Sequence, residues 1–264
     1  MRNPKPNKVD QSFSNSNRWF VCLRDDLAAK TRLFFFPYAG GGPPAFGRWA
    51  VEFPSNMEVW TAHYPGRGSR YNEPPIKEFD ILLDELYKTI RPLLNKPFAF
   101  FGHSMGGLIA FELARKLRQQ NLPLPQTLFV SACSAPQILN SHPPIHTLPN
   151  REFIKSLQSL NDIPAEILNN AELMQLILPS LRADFEAVEN YQYTSNEPPL
   201  TCPIIAFGGH DDPRVSREQL EGWAVHTNNF RSKYFPGDHF FINTVRKSVI
   251  DSIVSEMTLS YARR

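Results

Sequence analysis

Gly102-His103-Ser104-Met105-Gly106 joins the apolar run Pro97-Phe98-Ala99-Phe100-Phe101 to the helix-like segment Gly107-Leu108-Ile109-Ala110-Phe111-Glu112-Leu113-Ala114. A G-x-S-x-G between strand and helix reads as a nucleophile elbow, a turn so sharp that only small residues fit two places either side of the serine. Its hydroxyl then stands above the sheet edge, and the helix start offers backbone N–H groups and a partial positive charge to a developing oxyanion. Ser104 is therefore the candidate nucleophile, and the chemistry is acyl transfer. The pentapeptide alone also fits an ordinary turn with an exposed serine; the order strand, elbow, helix favours catalysis.

A serine hydroxyl needs a base in hydrogen-bond reach and an acid that orients the base. With an elbow of this kind they follow in the order Ser, Asp/Glu, His. Of the seven histidines, His239 lies in Pro236-Gly237-Asp238-His239-Phe240-Phe241, just after the strand-like Lys233 to Phe235, where a loop can swing the imidazole back over the elbow. It is the candidate base. His226 falls in the helix-like stretch from Glu218 and is expected to be solvated, whereas His103 is the variable elbow position, beside the nucleophile rather than on its proton.

The strand-like Ile204 to Phe207 runs into Gly208-Gly209-His210-Asp211-Asp212-Pro213-Arg214-Val215. Neighbouring residues point in different directions, so one of Asp211 and Asp212 can bond the imidazole. Asp212 fits a G-x-x-D-x-x-V spacing and is preferred; Asp238, adjacent to the base, would rarely turn onto its ring. The loop Pro37-Tyr38-Ala39-Gly40-Gly41-Gly42 lets backbone approach a substrate closely, so the Ala39 N–H is paired with that of Met105 as the oxyanion hole. The same loop is no phosphate cradle, because no Lys-Ser/Thr follows and G-x-G-x-x-G is absent.

The elements that must carry these residues are short apolar runs bounded by turn residues: Trp19 to Leu23, Leu33 to Phe36, Val59 to Ala62, Phe98 to Phe101, Thr127 to Ala132, Ile204 to Phe207 and Lys233 to Phe235. Helical spacing between several of them predicts an α/β fold with a mostly parallel central sheet flanked by helices. Ile76, Phe79, Leu82, Leu83, Leu86, Ile90 and Leu93 form one such stripe, read as core. From 148 to 193 the pattern is helical throughout, with Pro164 and Pro179 as punctuation, which predicts a helical insertion placed either as a lid or as a fixed layer.

At 264 residues and 42% hydrophobic, the chain suits one α/β domain over residues 18–264, with the Asn/Ser/Pro/Lys-rich residues 1–17 read as a disordered tail. Lys+Arg 28 against Asp+Glu 26, without a long basic run, points away from nucleic acid and anionic membranes. Cys22, Cys133 and Cys202 form no C-x-x-C and are read as reduced thiols. No secretory signal or membrane-spanning stretch is recognised, so the expectation is a cytoplasmic protein.

With these pieces in place the chain closely resembles the stand-alone type II thioesterases of polyketide and non-ribosomal peptide synthesis, members of the α/β-hydrolase superfamily. The resemblance runs from about Arg32 to the C-terminal helix. It is carried by Phe36-Pro37-Tyr38-Ala39-Gly40-Gly41, Tyr64-Pro65-Gly66-Arg67, Gly102-His103-Ser104-Met105-Gly106-Gly107, Ser134-Ala135-Pro136, Leu181-Arg182-Ala183-Asp184, Gly209-His210-Asp211-Asp212-Pro213 and Gly237-Asp238-His239-Phe240-Phe241. Two departures, Gly68-Ser69 before Arg70 and Gly-Asp-His in place of Gly-Gly-His, leave the proposed chemistry untouched. The resemblance implies hydrolysis of acyl or aminoacyl groups from the phosphopantetheine arm of an acyl or peptidyl carrier protein, a transient partner. It also implies a monomer needing no dissociable cofactor or metal. Release of medium-chain fatty acids from a fatty acid synthase, as related animal enzymes perform, is the alternative within the enzyme class. Non-catalytic ligand-binding proteins of the same fold are the alternative outside it; those often lose a triad member, whereas Ser104, Asp212 and His239 are all present.

Overall fold

Phenylalanines placed two apart decide how the sheet is covered. The computed structural model describes residues 18–26, 28–138, 143–159, 170–195 and 197–262; the tail expected at 1–17 and Pro164 lie outside them. Among the described residues, seven strands form one sheet: β1 (Phe20–Arg24), β2 (Thr31–Phe36), β3 (Met57–Ala62), β4 (Phe98–His103), β5 (Leu128–Ser131), β6 (Ile204–Gly209) and β7 (Phe230–Phe235). Their order is β1-β3-β2-β4-β5-β6-β7, with β1 antiparallel to β3 and every other pairing parallel.

Every residue of β2, β4 and β6 is buried, as parallel strands covered on both faces require. Alternation sends Phe34, Phe36, Phe98 and Phe100 to one face, against α2 (Phe79–Ile90) and α3 (Met105–Gln119). Leu33, Phe35, Phe101 and Phe207 go to the other, against α1 (Pro44–Gly47) and the C-terminal helix Arg246–Ala262. The expected stripe supplies the buried face of α2 through Phe79, Leu82, Leu83, Leu86 and Ile90, while Leu93 continues into a 3₁₀ turn.

Between β5 and β6 lie α4 (Asn150–Ser159) and α5 (Ala171–Glu189). The sequence places Pro179 as a break, yet it sits inside α5. Proline there removes one backbone bond, and packing of Met174, Leu181 and Phe185 with Phe153 and Leu157 in a third apolar cluster overrides that cost. Asn170 caps α5, its side chain accepting from the N–H groups of Glu172 and Leu173. Beyond β6 come α6 (Arg217–Glu221), α7 (Phe241–Thr244) and α8 (Arg246–Ala262).

Strand β7 starts three residues before the expected run. Of the residues ahead of that run, Arg231 and Ser232 carry no apolar signal because an edge strand is left partly open to water. The three cysteines are free, and burial pushes the Cys133 and Cys202 thiols up to about 12, which leaves them inert. No described helix is long and apolar enough to cross a membrane.

The parallel register aligns the strand ends. Phe36 pairs with Gly102, His103 with Ser131, Ser131 with Phe207, and Gly209 with Phe235. The loops that leave β2, β4, β6 and β7 consequently share one edge, the carboxyl edge, where open α/β sheets bind ligands.

Candidate active site

Ser104 lies between β4 and α3 with φ 53° and ψ −121°, a conformation that costs a non-glycine residue free energy. The surroundings enforce it. The Ser104 N–H donates to the Ser131 carbonyl (2.8 Å), and its own carbonyl accepts from Gly107 N–H (2.8 Å). A Cβ on Gly102 would stand 2.0 Å from the Gly106 carbonyl oxygen, and one on Gly106 would stand 1.8 Å from that of Phe36. The elbow glycines thus let the helix start press against the end of β2, with Gly106 against the Phe36 and Pro37 carbonyls that lead into the turn containing Ala39.

His239 follows β7 on the loop to α7. The turn is fixed by Asp238, whose Oδ1 accepts the Phe240 N–H (2.8 Å) and whose carbonyl accepts that of Phe241 (3.1 Å). Asp238 is therefore engaged with backbone. Asp212 Oδ1 accepts the N–H groups of Arg214 (2.8 Å) and Val215 (3.2 Å), leaving Oδ2 directed at His239 Nδ1 (2.9 Å). On the other side of the ring, His239 Nε2 is 3.1 Å from Ser104 Oγ.

Ser104, His239 and Asp212 therefore form one hydrogen-bonded line, with the His239 and Asp212 side chains 2% and 1% exposed. Burial alone would raise the Asp212 carboxyl; the bonds from His239, Arg214 and Val215 outweigh it and hold the group below the usual carboxylate range. Asp211 is exposed, with its backbone N–H on the Gly237 carbonyl (3.0 Å).

His103 is fully buried behind the site, its ring centroid 5.5 Å from that of His239 and its Nδ1 2.9 Å from Ser131 Oγ. Burial, then the neighbouring His239, hold it well below the ordinary histidine range. A neutral imidazole there does not oppose a charge forming on His239. His226 is a correction: it is buried, not solvated. The Phe111 and Trp223 rings cover it, Gln137 Oε1 lies 2.5 Å from Nε2, and burial with nearby Arg115 lowers it to about 4.

A buried ion pair adjoins Ala39. Arg67 binds both Asp184 carboxylate oxygens (2.6 and 2.8 Å) and the Gly41 carbonyl (3.1 Å). Asp184 Oδ2 also accepts the Gly40 N–H (2.7 Å). Both residues stood in the resembling segments, but a pairing across 117 positions leaves no local pattern.

A mostly parallel sheet with a strained serine at a strand-to-helix elbow, linked through histidine to a late aspartate, defines an α/β-hydrolase-fold serine hydrolase site. Comparison with known proteins narrows the class. The thioesterase-domain profile matches residues 31–257. The gramicidin S biosynthesis protein GrsT of Aneurinibacillus migulanus is 44% identical over 251 residues, covering 95% of this chain and 98% of its own. Among solved structures, the type II thioesterase BorB from the borrelidin biosynthetic cluster is similar with a TM-score of 0.83 and 32% identity, over 90% of this chain and 96% of that one. ClbQ from the colibactin pathway gives a TM-score of 0.85 and 28% identity, over 89% and 100%. The chain belongs to the thioesterase family, as a type II thioesterase of the kind that accompanies non-ribosomal peptide and polyketide synthesis.

Proposed function

We propose that the chain removes acyl or aminoacyl groups from the phosphopantetheine arm of a carrier protein of a non-ribosomal peptide or polyketide synthase, clearing stalled or wrongly primed chains. The observation that carries this reading is the continuous line Asp212 Oδ2 to His239 Nδ1 and His239 Nε2 to Ser104 Oγ at the carboxyl edge of the sheet. Relatives whose names tie them to gramicidin S, borrelidin and colibactin biosynthesis support the choice of substrate.

Ser104 Oγ attacks the thioester carbonyl as its proton passes to His239 Nε2. The oxyanion is received by the N–H groups of Ala39 and Met105, the second lying on the first residue of α3, where backbone donors lack intrahelical partners. The C–S bond breaks and the sulfur leaves with the proton from His239. Water then gives a proton to His239 and attacks the acyl-enzyme, releasing the carboxylic acid and restoring the Ser104 hydroxyl. Asp212 holds the imidazole with Nδ1 protonated throughout. The pantetheine arm arrives as part of the substrate, and the chemistry calls for no dissociable cofactor.

The test compares one acyl group on a carrier protein and on a short thiol. Contacts to the carrier and arm can be used to orient the carbonyl, so kcat/KM is expected to be higher on the carrier. Equal efficiency, or preference for oxygen esters, refutes the editing role in favour of a broad esterase.

A further inference from the structure

The turn that carries Ala39 is held from three directions. Gly41 N–H donates to the Tyr38 carbonyl (2.8 Å) while Gly40 has φ +75°, which together mark a type II turn with Ala39 and Gly40 at its centre. A peptide is planar and trans, so fixing the Tyr38 carbonyl on Gly41 points the Ala39 N–H the opposite way. The middle peptide could still flip by about 180° to give a type I turn, which most residues accept. In that form the Ala39 carbonyl, not the Gly40 N–H, would face Asp184.

Asp184 decides between the two forms. Its Oδ2 receives the Gly40 N–H (2.7 Å), and the same carboxylate holds Arg67, which grips the Gly41 carbonyl. The Asp184 carboxylate would repel a carbonyl oxygen presented by the flipped peptide. Leu181, one turn earlier on α5, closes the space further, its Cδ1 lying 2.9 Å from where a Gly40 Cβ would stand. Both charged groups are buried, Asp184 to 2% exposure and Arg67 to 7%.

We propose that Asp184 is a positioning residue for catalysis: by accepting the Gly40 N–H, and by holding Arg67 on the Gly41 carbonyl, it anchors in place the turn whose Tyr38–Gly41 bond sets the direction of the Ala39 N–H, so that this donor stays at the oxyanion. The helix α5, contributed by the segment between β5 and β6, thereby completes a site whose covalent chemistry is performed elsewhere. This rests on the reading that Ser104 is the nucleophile and Ala39 an oxyanion donor.

Two double variants isolate the acceptor from the ion pair. Arg67→Met with Asp184→Asn removes both charges yet keeps an amide oxygen for Gly40; Arg67→Met with Asp184→Leu removes the acceptor as well. On a short acyl thioester, the leucine variant is expected to have kcat lower than the asparagine variant by about tenfold or more, with KM nearly equal, since a misaimed oxyanion donor acts on the transition state. Affinity for an alkyl boronic acid, which places an oxygen in the hole, should fall in parallel. If the leucine variant does not fold, Asp184→Ala replaces it in the same comparison. Equal kcat and equal boronate affinity in the two folded doubles overturn the proposal. Ser104→Ala run alongside separates this from failure at the nucleophile: an active alanine variant overturns the reading of the site itself, whereas an inactive one with equal doubles overturns only the role of Asp184.

Discussion

Replacing Asp212 by asparagine tests the site through a single proton. In the structure Oδ1 accepts two backbone N–H groups, from Arg214 and Val215, and Oδ2 meets His239 Nδ1. An asparagine keeps its oxygen on those two donors, because the flipped amide would set its NH₂ against them. Leaving both donors unpaired costs roughly 2 kcal/mol or more. The NH₂ therefore faces Nδ1, which must become an acceptor. The ring proton is driven to Nε2, where it points at Ser104 Oγ and cannot receive the hydroxyl proton. Loss of the productive tautomer in a comparable triad lowers kcat by about 10⁴-fold, or about 5.4 kcal/mol of barrier. Asp211→Asn alters an exposed side chain and is expected to stay within about twofold of wild type. Thiol release from a short acyl thioester, followed at equal folded concentrations, measures both. Asp212→Asn retaining a tenth of wild-type kcat/KM, or Asp211→Asn proving the more damaging, refutes the assignment.

Three further outcomes are expected. Ser104→Ala should lose fluorophosphonate labelling and nearly all turnover, with Tm within about 2 °C of wild type; labelling of the alanine variant would place the nucleophile elsewhere. Gly106→Ala should lower Tm by about 5 °C or more, or give insoluble protein, because its Cβ meets the Phe36 carbonyl at 1.8 Å and β2 is locked to β4 by register; an unchanged melt contradicts that packing. Folded His226 titrates near 4 against an ordinary 6.5, so below pH 6.5 the unfolded chain binds the proton first. Its contribution to stability is complete above pH 6.5 and falls as pH drops toward 4. His226→Gln should flatten the loss of Tm over that window; an unchanged slope counts against the buried neutral imidazole.

The central strands were legible because burial on both faces turns β2, β4, β5 and β6 into uninterrupted apolar runs, and the elbow was legible because its glycines answer a local steric demand. Asp212, His239 and Ser104 could be placed in order along the chain, but not the two backbone donors that orient Asp212. Local patterns failed where distant packing decides. Arg231 and Ser232 pair with β6 yet fall outside the strand-like run that begins at Lys233; Pro179 stays helical because its neighbours are buried against Phe153 and Leu157; His226 looks polar in sequence and is enclosed by rings from α3 and the segment after α6. The bond between Asp184 and Gly40 spans 144 positions and leaves no trace in spacing.

Pro179 divides α5 into two halves with different obligations. Ahead of it, Leu173 and Leu176 are 42% and 44% exposed; behind it, Leu181 and Asp184 touch the Ala39–Gly40 turn. A chimera that exchanged the whole segment between β5 and β6 for that of a relative would import a foreign partner for the Gly40 amide. Splicing at Pro179 instead leaves that partner native, so the outer half of the helix can diversify in sequence while the inner half is inherited together with Arg67 as one unit.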